Sequence, residues 1–266
     1  MMSSGPADSS ATTVPAASAS SSAGVLSRTG VLVYAVLAYA VGMAGLVWTI
    51  LAVGNLVPFG FGPIETSGVA GAMAVNLTLG AIFTLQHTIM ARSSFKDWLT
   101  RVIPGASERS TFVLMSGLAV ALATWLWQPI AGEVWSVGAP AARTALWALY
   151  ALGWGYLVAS TFVTNHFELF GLRQAWLHFR GVEYTPLPFT RRWMYRYSRH
   201  PMMVGVLVGL WAAPDMSVTR LSMAGLFTLY VLFGVFMEER DLAARFGDTY
   251  AAYRREIGFF FPRLGS

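Results

Sequence analysis

The tripeptide Arg199-His200-Pro201 opens one apolar run, and Glu238-Glu239 closes the next. Proline is favoured at a first helical position because its missing N–H would be unpaired there anyway. The residues before it then lie at a helix N-terminus, whose partial positive charge favours an anion such as a carboxylate. Arg199 adds a planar, two-pronged donor for the same group. The Arg-His pair can equally serve as an anchor at a membrane interface. Two carboxylates at a helix C-terminus oppose the helix dipole, so Glu238 and Glu239 require cationic partners. Loop arginines and a bound cation are two candidates. A solvated helix end paired with Arg240 or Arg245 is a third arrangement.

Other chemistry lies inside apolar segments. Asn76, Gly80, Phe83 and His87 recur at helical spacing and share one face. A polar stripe through an apolar helix should face the interior of a bundle, because exposure to lipid is costly. There His87 can act on a ligand or simply hydrogen-bond a neighbouring helix. Asp215 and Arg220 flank a break at Pro214 and can pair with each other. His166 and Glu168 are two apart, which does not bring them together on a helix, so no metal site is expected.

These residues need elements to hold them, and the composition says which. Of 266 residues, 55% are hydrophobic and only 12% charged, against about 25% charged in a soluble domain. Four uncharged or nearly uncharged runs, 31–53, 69–91, 111–130 and 144–164, approach the ~20 residues that cross a bilayer. The run 202–213 is too short to cross. It is followed by Pro214-Asp215 and a fifth full-length run, 217–237. The expected fold is therefore all-α: a polytopic transmembrane bundle of about five spans, ending in a helical hairpin and a tail. Backbone cannot stay unpaired in lipid, so the break at Pro214 must be covered by protein or face water.

Seventeen of the 18 basic residues are arginine. With the N-terminus in the cytoplasm, 16 of the 18 fall on that side, leaving Arg143 outside and Arg220 in the hairpin. The bias predicts cytoplasmic N- and C-termini. The charge lies in loops between apolar runs rather than on one soluble face, which argues against nucleic-acid binding. Cysteine is absent, so disulfides, thiolate metal sites and cysteine nucleophiles are excluded. Residues 1–27, rich in Ser and Ala with Pro6 and Pro15, are expected to form a disordered tail. His178, with Trp176, Phe179 and Arg180, fits an amphipathic surface helix.

The C-terminal third resembles the isoprenylcysteine carboxyl methyltransferase-like superfamily of membrane methyltransferases. The resemblance rests on Arg199-His200-Pro201, the hairpin 202–237, Glu238-Glu239, Phe246-Gly247, Tyr250, Tyr253 and Pro262. Met203 stands where that pattern has tyrosine, and Gly205 keeps its glycine. The segments 86–92 (QHTIMAR) and 164–174 (TNHFELFGLRQ) are similar to the branch holding the methanethiol S-methyltransferases and the NnrU-type proteins.

The resemblance implies one membrane-embedded methyltransferase domain over 28–266, with its cofactor part at about 195–263. It implies S-adenosylmethionine as cofactor and a small thiol, methanethiol or hydrogen sulfide, as substrate. Arg199, His200 and Pro201 would line the cofactor site, with Glu238 and Glu239 closing it and Tyr250, Tyr253 and Arg254 covering the adenine. A small thiol is mostly protonated at neutral pH, as a cysteine thiol with a pKa of about 8.5 is. Groups that remove its proton or stabilise the thiolate would therefore help, and His87, His166, Tyr195, Tyr197 and Arg220 are the candidates. A prenylcysteine or lipid methyltransferase, needing a wide lateral opening, is the alternative enzyme. A non-enzymatic NnrU-like membrane protein is the alternative class.

Overall fold

A computed structural model describes residues 17–57, 64, 66–188 and 191–261. Pro6, Pro15, Pro262 and Arg263 lie outside the described residues. Five helices are long and apolar enough to cross a membrane, over Ser27–Val53, Gly68–Ala91, Gly105–Leu126, Pro140–Thr164 and Val218–Glu256. They belong to α1 (Ala17–Val53), α2 (Gly68–Ala91), α4 (Glu108–Leu126), α5 (Pro140–Thr164) and α9 (Val218–Glu256). Thus the chain is a multi-pass helical membrane protein. α1 starts at Ala17, inside the stretch expected to be a tail. α4 stops at Leu126 rather than running on to residue 130, because the residue before Pro129 is pushed out of helical conformation.

Short helices lie between the spans. α3 (Ser93–Leu99) follows α2, and α6 (His166–Leu169) and α7 (Leu172–Arg180) follow α5. The short apolar helix α8 (Pro201–Trp211) is the first arm of the hairpin. Its break at Pro214 is covered by protein. Strand β2 (Asp215–Ser217) pairs antiparallel with β1 (Glu133–Ser136). Val137 donates its N–H to the Pro214 carbonyl (2.9 Å), and Trp135 donates its indole N–H to the Ala213 carbonyl (3.0 Å). The freed backbone groups are thereby paired, as lipid requires.

Helices approach closely where they carry no side chain. A Cβ on Gly45 of α1 would lie 2.3 Å from the Gly117 carbonyl of α4. A Cβ on Gly205 of α8 would lie 2.6 Å from the Gly153 carbonyl of α5. Small residues at crossings are how membrane helices gain packing without a hydrophobic driving force between them. Gly205 therefore docks α8 against α5 and fixes the height of His200 and Pro201 at its start. The main core joins α2, α4, α5, α8 and α9 through Leu79, Trp127, Tyr150, Trp154, Leu210 and Met223.

Candidate active site

Glu239 is the centre of a cluster just past the apolar part of α9, residues 218–237. Its carboxylate is 8% exposed and receives four donors. Oε2 lies 3.0 Å from Arg199 Nη1 and 3.2 Å from Arg254 Nε. Oε1 lies 2.8 Å from His200 Nε2 and accepts from the Tyr250 hydroxyl at 2.6 Å. His200 Nδ1 faces Glu238 Oε2 at 3.3 Å, so the imidazole sits between the two carboxylates. Glu238 is 45% exposed and has no other ion-pair partner among the described residues. Pro201 occupies the first turn of α8, with His200 as its N-cap.

The chain returns to this cluster because α9 kinks at Gly247 (φ 50°, ψ −125°), a conformation that favours glycine. Tyr250 and Tyr253 are then buried. Tyr253 donates to the Tyr195 carbonyl at 2.7 Å. Further on, the Gly258 carbonyl accepts from the Arg199 N–H (3.2 Å), and the Arg199 guanidinium lies 5.4 Å from the Phe259 ring centre. One donor is left over: Arg199 Nε is buried and has no hydrogen-bond partner. A buried donor without an acceptor is costly, and a ligand carboxylate would satisfy it.

Above this cluster lies an apolar cavity of about 300 Å³, lined by Phe83, His87, Phe112, Ser116, Phe227 and Tyr230 among others. Asn76, Gly80 and Phe83 are buried, so the stripe on α2 faces inward as its spacing predicts. Asn76 serves packing: it exchanges two hydrogen bonds with the backbone of Gln128 (2.9 and 2.6 Å). His87 serves the cavity, its Nδ1 lying 3.0 Å from Ser116 Oγ. Arg199, His200 and Glu239 do not line this cavity. Val231, which does, stands eight residues before Glu239, roughly 12 Å of helix. Polar cluster and apolar cavity are thus stacked along α9.

The other nominated residues sit elsewhere. Both nitrogens of His166 are engaged, Nε2 with the Tyr39 hydroxyl (2.8 Å) and Nδ1 with the Thr161 hydroxyl (2.7 Å). Its ring stacks on Phe162 at 4.3 Å. Tyr195 lies beside Thr164 and Glu238, and burial raises its pKa well above the usual phenol range. At neutral pH such a phenol donates a hydrogen bond rather than accepting a proton. Tyr197 is exposed. Arg220 is 1% exposed and lies 5.6 Å from the Tyr150 ring centre. It stands 19 residues before Glu239, roughly 28 Å along the helix. Asp215 pairs with Arg143, not with Arg220: two hydrogen bonds of 2.7 Å join them.

Two sets of contacts are not visible in the sequence. Ser116 was legible as one of few polar residues in the third apolar run, but not as the partner of His87. Glu168 gathers Arg173 Nη1 (2.8 Å) and the Tyr184 hydroxyl (2.5 Å), and Arg109 Nε donates to the neighbouring Leu169 carbonyl (2.7 Å). These contacts bind the segment 164–174 to α4 and to the loop after α7.

Fold and cluster together define a multi-pass helical membrane protein with a buried carboxylate centre at one face of the bundle. The chain belongs to the NnrU family, whose description is "NnrU protein" and whose pattern matches residues 76–256. It is 42% identical to a methanethiol S-methyltransferase of Mycobacterium tuberculosis, over 87% of this chain and 95% of the relative. It is 41% identical to a methanethiol S-methyltransferase of Crocosphaera subtropica, over 90% of this chain and 94% of the relative. Nurim of Rattus norvegicus is 29% identical over 67% of this chain and 71% of the relative. No solved structure matches the chain.

Proposed function

We propose that the protein transfers a methyl group from S-adenosylmethionine to methanethiol, giving dimethyl sulfide and S-adenosylhomocysteine. The relatives with about 40% identity carry that activity in their names. The single observation that carries the reading is the meeting of Arg199, His200 and Glu239, two turns of α9 below an apolar cavity that His87 lines.

When bound, S-adenosylmethionine supplies a methyl group on a positively charged sulfur. Arg199, through its unpaired Nε, holds the α-carboxylate. Glu238, the more exposed acid, accepts from the α-amine or the ribose hydroxyls. Glu239 orients Arg199 and His200 for that task, with Pro201 setting the start of α8. Tyr250, Tyr253 and Arg254 close the adenosine side. His87 takes the thiol proton at Nε2, its Nδ1 being held by Ser116. The thiolate would lie in line behind that methyl group, so that the carbon–sulfur bond formed would replace the carbon–sulfonium bond broken, whose electron pair would stay on the departing sulfur. The cavity wall excludes water, which strengthens the thiolate as a nucleophile. Residues 28–266 act as one unit with both termini in the cytoplasm, and the part at 195–263 binds the cofactor.

The test is dimethyl sulfide in the headspace over detergent-purified protein supplied with S-adenosylmethionine and methanethiol. Product well above a Glu239→Ala control supports the reading. No product above that control, or no binding of S-adenosylhomocysteine by calorimetry, overturns it.

A further inference from the structure

Between α7 and α8 the chain makes a 3-10 turn over Trp193–Arg196. Trp193 has φ 50°, a left-handed conformation that is strained for a bulky residue. Its side chain is 77% exposed, so protein packing does not repay that strain. Tyr197 beside it is exposed as well. With Tyr156, Arg192, Met194 and Arg196 these residues line a groove of about 610 Å³. Tyr156 stands eight residues before the end of α5, roughly 12 Å along the span from that end. The groove therefore runs from the membrane edge toward hydrocarbon depth.

Its charge is uncompensated. The neighbouring Arg191 pairs with Glu256, and Arg199 pairs with Glu239. Among the described residues, Arg192 and Arg196 have no ion-pair partner. Arg192 also lines a second groove of about 520 Å³ with Phe162, Asn165 and Phe167. It thus stands between two grooves whose other walls include lipid-side apolar residues. Two unpaired guanidinium groups at a membrane edge, an exposed tryptophan and a channel leading into the acyl layer match one ligand chemistry. They fit a phosphate monoanion carrying hydrocarbon chains.

We propose that Arg192 and Arg196 hold the phosphate of an anionic phospholipid from the arginine-rich side of the membrane. One acyl chain lies along Tyr156, and Trp193 is held outward to pack at headgroup level. A plain interfacial anchor would also be basic and aromatic and would also attract anionic lipid, but it would not keep one lipid bound through detergent extraction.

The test is native mass spectrometry of the full-length protein, extracted in a mild detergent and given equal amounts of phosphatidylglycerol and phosphatidylcholine. Two arginines near an anionic headgroup should favour retained phosphatidylglycerol by roughly ten-fold or more. Arg192→Gln and Arg196→Gln should each lose part of that preference, and the double variant should lose it all while keeping its melting temperature. Equal retention of the two lipids by the wild type would overturn the proposal. So would an unchanged preference in the double variant. Displacement of the lipid by millimolar sn-glycerol 3-phosphate would also overturn it, because the site would then read free phosphate rather than a membrane lipid. Should the double variant not fold, the two single variants carry the same test.

Discussion

The two ends of the apolar part of α9, residues 218–237, are each flanked by arginine and carboxylate side chains, yet they are built differently. At the start of the helix, Asp215 meets Arg143 in a bidentate pair, and Ser136 adds a third donor at 2.7 Å. That pair is about one-third exposed on both sides and ties strand β2 to α5. Just past the other end of that apolar part, Glu239 is nearly buried and takes four donors on two oxygens, while Arg199 keeps a buried N–H unused. The first pair is saturated and wet, and serves as a staple. The second arrangement has surplus valence, a second acid half in water, and an apolar cavity two turns away. In a membrane protein an ionisable residue is a candidate for function by default. An unused buried donor alone does not separate a site from a staple, since Arg220 Nε and Nη2 near the start of α9 also lack partners; the four-donor carboxylate, the second acid beside it and the adjacent space do.

Removing Glu239 should break the contrast most severely. Glu239→Ala leaves Arg199 and His200 buried without their acid. Breaking such a pair costs on the order of 3 kcal/mol. Turnover should vanish from the headspace assay, and the melting temperature in detergent should fall. Glu239→Gln keeps the shape and should restore most of the stability but little of the turnover. His87→Ala comes next: loss of a general base costs roughly a hundred-fold or more in rate. Cofactor affinity by calorimetry should not change, since His87 lines the cavity and not the cluster. Wild-type turnover in this variant would return His87 to packing. Gly205→Leu should act on both regions at once. The added side chain must enter the contact with Gly153, and overpacking of this kind costs about 1–3 kcal/mol. Thermal unfolding should register it, together with weaker cofactor binding as α8 shifts.

How much of this was legible depends on the range of the interaction. Span positions follow from local hydropathy, and the break at Pro214 from one residue, so both appear in the sequence. The inward face of α2 follows from helical periodicity, because Asn76, Gly80, Phe83 and His87 recur at its spacing. Helical rise alone separates Arg220 from Glu239, and that arithmetic argues against joining them in one site. The pairing of Asp215 with Arg143 was not legible. It depends on β1 crossing to β2, a two-strand contact between segments far apart in the chain. Nor was the role of Ser116, whose meeting with His87 is set by the crossing of α2 and α4. The four donors on Glu239 come from the two residues before α8 and from the fold-back after Gly247. The sequence supplies their types, and only the kink brings Tyr250 and Arg254 back to the carboxylate.

The smallest effect belongs to the staple, and it has a pH signature. Hydrogen bonds from Arg143, then from Ser136, hold the Asp215 carboxyl down at about 2, below its ordinary 3.8. A carboxylate whose folded pKa is depressed adds stability above its unfolded pKa and loses it as pH falls through the folded one. Asp215→Asn should therefore lower the melting temperature slightly at neutral pH, because a solvent-exposed pair is worth little. The gap between wild type and variant should close as the pH is brought from about 4 toward 2. Methyl transfer at neutral pH should be unaffected, since this pair lies at the opposite end of the apolar part of α9 from Glu239. A large loss of turnover in Asp215→Asn would mean that the two ends are coupled, and the distinction between site and staple would fail.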